Sequence, residues 1–292
     1  MKGKKMYYLG ILFFVSVIFI SCERQKDPLA YEVATFRYPL FSGMFWEYRY
    51  ETAFFNVQPD TLLTPATMEE TLRVVIHKTK TLPNQAKAFE FQEFRTIRDD
   101  QVIIRSYYNN ADDGFYQYAY VEGFVGVGLP KLKPGPMVRF NHRLFSDAKE
   151  ALFYIEMAGR GIPFTSFSAD SIVVLKPPLR VLMYPLFIDV EWVYRSKNGN
   201  AFPVHKKIVG KESVTILEDY QIEAIKVQVL TDYDRNGQWD PDVVYFEYYT
   251  ELGLVKRYVL LKGLVMMDYQ GNEIGTFDSA STLILTRMAI PE

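Results

Sequence analysis

Beyond residue 30 the chain alternates apolar and polar residues with a period of two. The pattern is clear in FWEYRYE (45–51), TLRVVIHKTKT (71–81), KAFEFQEFRTI (87–97) and QVIIRSYY (101–108). It continues in FYQYAYV (115–121), DSIVVLK (170–176), EWVYRS (191–196), ESVTIL (212–217) and EAIKVQVL (223–230), then in VVYFEYY (243–249), LVKRYVLL (254–261) and TLILTR (282–287). Successive side chains on a strand point to opposite faces, so this alternation predicts strands with one face buried. Strands this numerous, divided by Gly, Asn, Asp and Pro, predict an all-β fold: a large curved antiparallel sheet, a partly open barrel or a two-lobed β-structure. Asn198-Gly199 and Asn236-Gly237 read as hairpin turns, because both residue types tolerate positive φ. One stretch breaks the period. Asp147-Ala148-Lys149-Glu150 has the spacing of a capping box, ALFYIEMA follows it, and Gly159 and Gly161 offer a stop. A short helix is predicted near 148–158, with Leu152, Phe153 and Ile155 against a sheet.

Composition strengthens the strand reading, since 22 Phe, 21 Tyr and 3 Trp make the chain 16% aromatic. A repeat runs through this aromatic texture. Residues 38–49 read YPLFSGMFWEYR and residues 184–195 read YPLFIDVEWVYR, with every match in the same register. By alternation Trp46 and Tyr48 share one face, as do Trp192 and Tyr194, while Arg49 and Arg195 take the other. The core reading has each Trp filling one end of a sheet; the other is a Trp/Tyr/Arg recognition patch used twice. The repeat suggests two lobes, 37–178 and 179–292, or one continuous β-domain. Pro177-Pro178 marks the candidate boundary.

The front of the chain has a different texture. Lys2, Lys4 and Lys5 precede an apolar run from Met6 to Ile20, then Ser21 and Cys22. A cationic start, a short apolar segment and a small residue form the pattern of a secretory signal peptide, here 1–21. A membrane-spanning helix wants about 20 apolar residues, and Glu23 and Arg24 arrive too soon for one. Phe19-Ile20-Ser21-Cys22 resembles the lipobox of bacterial lipoproteins, with Phe19 where that family usually has Leu. The resemblance implies cleavage before Cys22 and acylation of Cys22, which then anchors a tether, 22–36, to a membrane. More than one acyl chain is what stable anchoring needs. Glu23 stands where some lipoproteins carry an inner-membrane retention Asp, so the expected site is the outer membrane, on its periplasmic or its surface side. Cys22 is the single cysteine, so no intrachain disulfide forms. A net charge of −2 gives no footprint for nucleic acid. The apolar-Pro-Leu…Trp openings, AIKVQV (224–229) and ELGLVKR (251–257) together resemble exported bacterial β-proteins of no assigned activity. That resemblance implies a curved antiparallel sheet in the cell envelope.

Catalytic patterns are scarce. His77, His142 and His205 lack zinc-ligand spacing, no G-x-S-x-G elbow occurs, and no enzyme activity is expected. The strand carboxylates Glu47, Glu51, Glu90, Glu93 and Glu247 either flank a glycoside across a cleft or lie on solvated faces. GFVGVGLPKLKPGP (123–136) lacks the helix start and Lys-Ser pair of a phosphate loop. Tyr116, Tyr118 and Tyr120, and likewise Tyr245, Glu247 and Tyr249, form ladders suited to a sugar ring or an apolar cavity, or to plain cross-strand pairing. TDYDRNGQWDPD (231–242) resembles the first half of an EF-hand loop. Its expected calcium ligands are Asp232, Asp234, Asn236, the Gln238 carbonyl, Asp240 and Asp242, which substitutes for the glutamate absent at Val243. The alternative is a plain hairpin with solvated acids. Together these features predict a lipid-anchored envelope module that binds or carries an apolar or glycan ligand. The alternative is a structural or assembly lipoprotein that holds a partner envelope protein.

Overall fold

The computed structural model describes residues 34–62, 67–97, 100–121, 137–162, 171–197, 202–217 and 219–291. The expected signal peptide, Cys22, most of the tether, the Asn198-Gly199 turn and the whole of the 123–136 loop lie outside the described residues. Chain order gives β1 (Phe45–Gln58), β2 (Met68–Thr81), β3 (Lys87–Ile97), β4 (Asp100–Ala111), β5 (Gly114–Val121), β6 (Met137–Phe140) and β7 (Arg143–Phe145). Helix α1 (Ala148–Gly159) follows, then β8 (Ile172–Met183), β9 (Glu191–Arg195), β10 (Val204–Ile216), β11 (Tyr220–Thr231), β12 (Val243–Thr250), β13 (Gly253–Met267) and β14 (Glu273–Ala289). The fold is all-β with one short helix, and its strand ladders are antiparallel.

A single sheet runs β8-β5-β4-β3-β2-β1-β14-β13-β12-β11-β10-β9, with β6 and β7 attached beside β13. It consists of two meanders, β1–β5 with β8 and β9–β14, joined where β1 pairs β14. The other two ends, β8 and β9, meet without a shared ladder, so the sheet curls into a nearly closed barrel with one open seam. Pro177 and Pro178 lie inside β8, at the end of the path, where a missing N–H removes no bond from a second neighbour.

The repeat opens each meander. Trp46 is on β1 and Trp192 on β9, both buried, and each indole N–H donates to a carbonyl at 2.7 Å, Leu252 for Trp46 and Arg180 for Trp192. The Trp192 bond crosses the seam from β9 to β8. The tyrosines two residues on behave alike, Tyr48 donating to the Leu254 carbonyl at 2.9 Å and Tyr194 to the Arg160 carbonyl at 2.7 Å. The two repeat copies also touch directly, because the Tyr184 hydroxyl accepts the Tyr38 N–H at 2.8 Å, 146 positions away. These residues are core. Aromatic burial at matching points is what the repeated sequence encodes.

Helix α1 starts where the capping spacing places it. The Asp147 side chain accepts the Glu150 N–H at 2.7 Å, while the Glu150 carboxylate reaches one residue further back than a strict box, to the Ser146 N–H at 2.7 Å. Gly161, at φ +70°, ends it, and a Cβ there would lie 2.4 Å from Leu179 on β8. The sequence places one apolar face on a sheet. Instead Ala151, Leu152, Phe153, Ile155, Glu156 and Met157 are all buried, so burial extends well beyond one face of α1, and only Lys149, Glu150 and Tyr154 are half-buried.

Candidate functional site: a charged chamber inside the barrel

Inward-facing strand positions should be apolar, and most are. Several are charged. Lys206 stands between Val204 and Ile208 on β10, Glu247 between Tyr245 and Tyr249 on β12, and Arg257 between Val255 and Val259 on β13. Glu93 and Arg95 follow Phe91 on β3. Each sits on the parity of its apolar neighbours, so alternation alone turns it into the barrel. Helix α1 contributes Glu156, and its C-cap Arg160 reaches inward with its side chain 13% exposed.

These seven groups form one network. The Glu156 carboxylate accepts from Arg95 at 3.1 and 3.2 Å on Oε2 and from Arg257 at 2.5 Å on Oε1. Arg160 pairs Glu93 at 2.7 Å, and Lys206 pairs Glu247 at 2.6 Å. The Tyr249 hydroxyl donates to Glu247 at 2.8 Å. Aromatic faces complete the lining: the Arg95 guanidinium lies 4.8 Å from the Tyr50 ring and 4.9 Å from Phe153, and the Lys206 ammonium 4.6 Å from Tyr194. Burial pushes the Glu247 carboxyl up, but Lys206 and Arg257 outweigh it and hold the group down at about 2. Burial likewise raises Glu93, and Arg160 with Arg95 more than reverses that, leaving it below the usual carboxylate range. Burial draws the Lys206 ammonium below its ordinary value, offset in part by Glu247.

A cavity of about 70 Å³ opens at the centre of this network, lined by Glu93, Arg160, Lys206, Glu247 and Arg257 together with tyrosines and aliphatic residues. One water needs roughly a fifth of that space. Val181 of β8 and Tyr194 of β9 also line it, so the chamber abuts the seam. Three lining groups keep a buried polar atom without a hydrogen-bond partner: the Ser106 hydroxyl, Glu93 Oε1 and Arg257 Nε. Of these, Glu93 Oε1 lies 3.4 Å from Arg95 and Arg257 Nε 3.5 Å from Glu247, whereas buried polar atoms normally have a hydrogen bond as well.

Two of the strand carboxylates, Glu93 and Glu247, thus share one chamber, whereas Glu51 pairs at the surface with Arg49 at 2.7 Å. The sequence left these carboxylates either flanking a cleft or on solvated faces; Glu93 and Glu247 instead face one buried cavity, where neighbouring cations hold both below the usual carboxylate range. Lys206, Arg257, Arg95, Arg160 and Glu156 escaped the sequence reading. The signal that reveals the strand members is a charge on the apolar parity of a strand.

The expected calcium ligands lie between β11 and β12. Here β11 and β12 pair only over Ile225–Gln228 and Phe246–Tyr249, so Asn236-Gly237 does not form a tight two-residue turn between them. The turn expectation fails because the acids organise a longer loop. Asp234 accepts the Asn236 N–H at 3.0 Å, Asn236 accepts the Gln238 N–H at 2.7 Å, and Asp232 accepts the Gly237 N–H at 3.1 Å. Asp240 accepts the Tyr233 N–H at 2.5 Å, while Asp242 is exposed and its carbonyl accepts the Lys262 N–H at 2.9 Å. Asp232 is 3% exposed, and its Oδ1 has no partner. Burial raises the Asp240 carboxyl to about 6, and the Asp234, Asp232 and Asp242 charges add to the shift. Among the described residues no group of three or more His, Cys, Asp or Glu is arranged to hold a metal ion.

Fold and site together define an antiparallel β-barrel with one open seam and an ionic chamber inside it. No family model matches the chain, no curated protein matches it, and no solved structure matches it.

Proposed function

We propose that this protein is a lipid-anchored binding module of the bacterial cell envelope, with the barrel interior as its ligand chamber. The observation that carries the reading is the cavity itself, ringed by five charged side chains, with the buried Ser106 hydroxyl left without a partner in its wall. A purely structural core gains nothing from a central void with unsatisfied polar lining. The chamber's size and charge favour a small polar ligand over the apolar or glycan ligand that the aromatic ladders suggest. The seam supports a route of entry, since β8 and β9 part without breaking a backbone ladder. No catalytic step is included in this reading. Native mass spectrometry of the mature protein tests it: a retained small molecule is expected, and a bare chain from every preparation would defeat it. Anchoring through Cys22 rests on the lipobox resemblance. Cys22→Ser should abolish uptake of labelled palmitate; continued uptake would place any anchor elsewhere.

Calcium at the 232–242 loop is a second reading. The D-x-D-x-N-G spacing, the buried Asp232 Oδ1 without a partner, and the burial and neighbouring acids that together raise Asp240 support it.

A further inference from the structure

The chamber's imbalance specifies its ligand, on the footing that it is a ligand site at all. Arg95, Arg160, Lys206 and Arg257 supply four positive charges, and Glu93, Glu156 and Glu247 supply three negative ones. One positive charge is left over in a place remote from water, where an uncompensated charge is expensive. Three lining atoms without a hydrogen bond refine the picture: the Ser106 hydroxyl, and, at ion-pair distance only, Glu93 Oε1 at 3.4 Å from Arg95 and Arg257 Nε at 3.5 Å from Glu247. Arg257 Nε–H and the Ser106 hydroxyl can donate, and Glu93 Oε1 can only accept. A complementary ligand therefore carries one negative charge, an oxyanion to accept from Arg257 and Ser106, and a hydroxyl to donate to Glu93.

We propose that the chamber binds a short hydroxy carboxylate. The cavity, at about 70 Å³, is close to half the ~150 Å³ that holds a benzene ring, so the ligand has few heavy atoms and glycolate is the natural probe. Acetate has the charge and lacks the hydroxyl. Glycine replaces the hydroxyl by an ammonium and is neutral overall, leaving the excess cation uncompensated. Inorganic phosphate can be held by a guanidinium as a carboxylate is, but near neutral pH it carries roughly one to two negative charges and so over-compensates the single excess cation.

The experiment is calorimetric titration of the mature protein, cleared of retained ligand by dialysis, with glycolate, acetate, glycine and inorganic phosphate. Glycolate is expected to bind roughly tenfold or more tighter than acetate, because a hydrogen bond to a buried carboxylate is of the charge-assisted kind. Ser106→Ala is expected to fold as well as the parent, since it removes a hydroxyl that lacks a partner, and to weaken glycolate about tenfold. Equal affinity for glycolate and acetate, or glycine binding as tightly as glycolate, overturns the assignment. So does tight binding that Ser106→Ala leaves unchanged. If no probe binds while native mass spectrometry shows a neutral molecule held by the barrel, the ligand class is wrong and the chamber reading stands. If no probe binds and no molecule is retained, both fall.

Discussion

Glu247 and Asp240 lie seven positions apart, one inside the barrel on β12 and the other in the loop that leads to it, and their carboxyl groups move in opposite directions. Glu247 is the more buried, yet it is held at about 2; Asp240 is pushed up to about 6. Burial raises both. The difference lies in the neighbours: Lys206 and Arg257 beside Glu247, Asp234, Asp232 and Asp242 near Asp240. The barrel resolves its buried charge internally down to a single excess cation, whereas the loop leaves a crowd of like charges for something else to resolve. One region is balanced by its own chain and the other is not.

Breaking the balanced side should cost most. Glu247→Gln leaves Lys206 buried without its counter-charge and is expected to destabilise the protein by about 3–5 kcal/mol in urea denaturation. Replacing both partners, as Lys206→Met with Glu247→Leu, should restore much of that loss, since an apolar pair of similar volume is often no worse than a buried ion pair. A double variant as unstable as Glu247→Gln would show that the pair's neighbours, not the pair, carry the network.

Calcium should act on the other side. At ten times its dissociation constant a ligand specific to the folded state adds about 1.4 kcal/mol. The melting temperature is therefore expected to rise in millimolar calcium and to stay put in Asp232→Ala/Asp234→Ala. An unchanged melting temperature in the parent would leave a loop that tolerates its own crowding.

The smallest effect belongs to Asp240→Asn, which removes the strained charge and keeps an acceptor for the Tyr233 N–H. A gain on the order of 1 kcal/mol at neutral pH without calcium is expected, after allowing for solvent screening of a partly exposed group. The pH dependence separates the two carboxylates. Asp240 is raised from about 3.9, so its favourable contribution is complete below that value and is lost as pH rises through about 6. Glu247 is depressed from about 4.3, so its contribution is complete above that value and is lost as pH falls through about 2. Between pH 6 and 4 acidification should therefore relieve the loop, and below 4 it should undo the barrel. Asp240→Asn should lose the first effect and retain the second.

The strands were legible because alternation reports burial of one face, and the helix because Asp147 and Gly161 mark its ends. The repeat was legible as a motif, but its meaning was not. Only the strand order shows Trp46 and Trp192 opening two meanders of one sheet, with β8 and β9 meeting at the seam. The chamber was hardest to read. Glu93 and Glu247 stood out as strand carboxylates, yet a solvated face and a buried ionic one give the same residue types. What separates them is the long-range partner: Arg160 lies 67 positions from Glu93, and six strands of the path stand between Lys206 on β10 and both Arg95 and Glu93 on β3. The charge on an apolar parity, as in Val204-Lys206-Ile208 and Val255-Arg257-Val259, was the available signal. The 232–242 loop shows the reverse limit. Its spacing is fully visible in sequence, but whether the carboxylates converge depends on loop closure, which local spacing does not determine.

Whether the barrel interior holds a polar ligand can be read from a high-resolution crystal structure of the protein purified without unfolding. A single ordered molecule, larger than water, is expected there, hydrogen-bonded to the Ser106 hydroxyl and Arg257 Nε. Density for waters alone, satisfying Ser106, Glu93 and Arg257 between them, would contradict it.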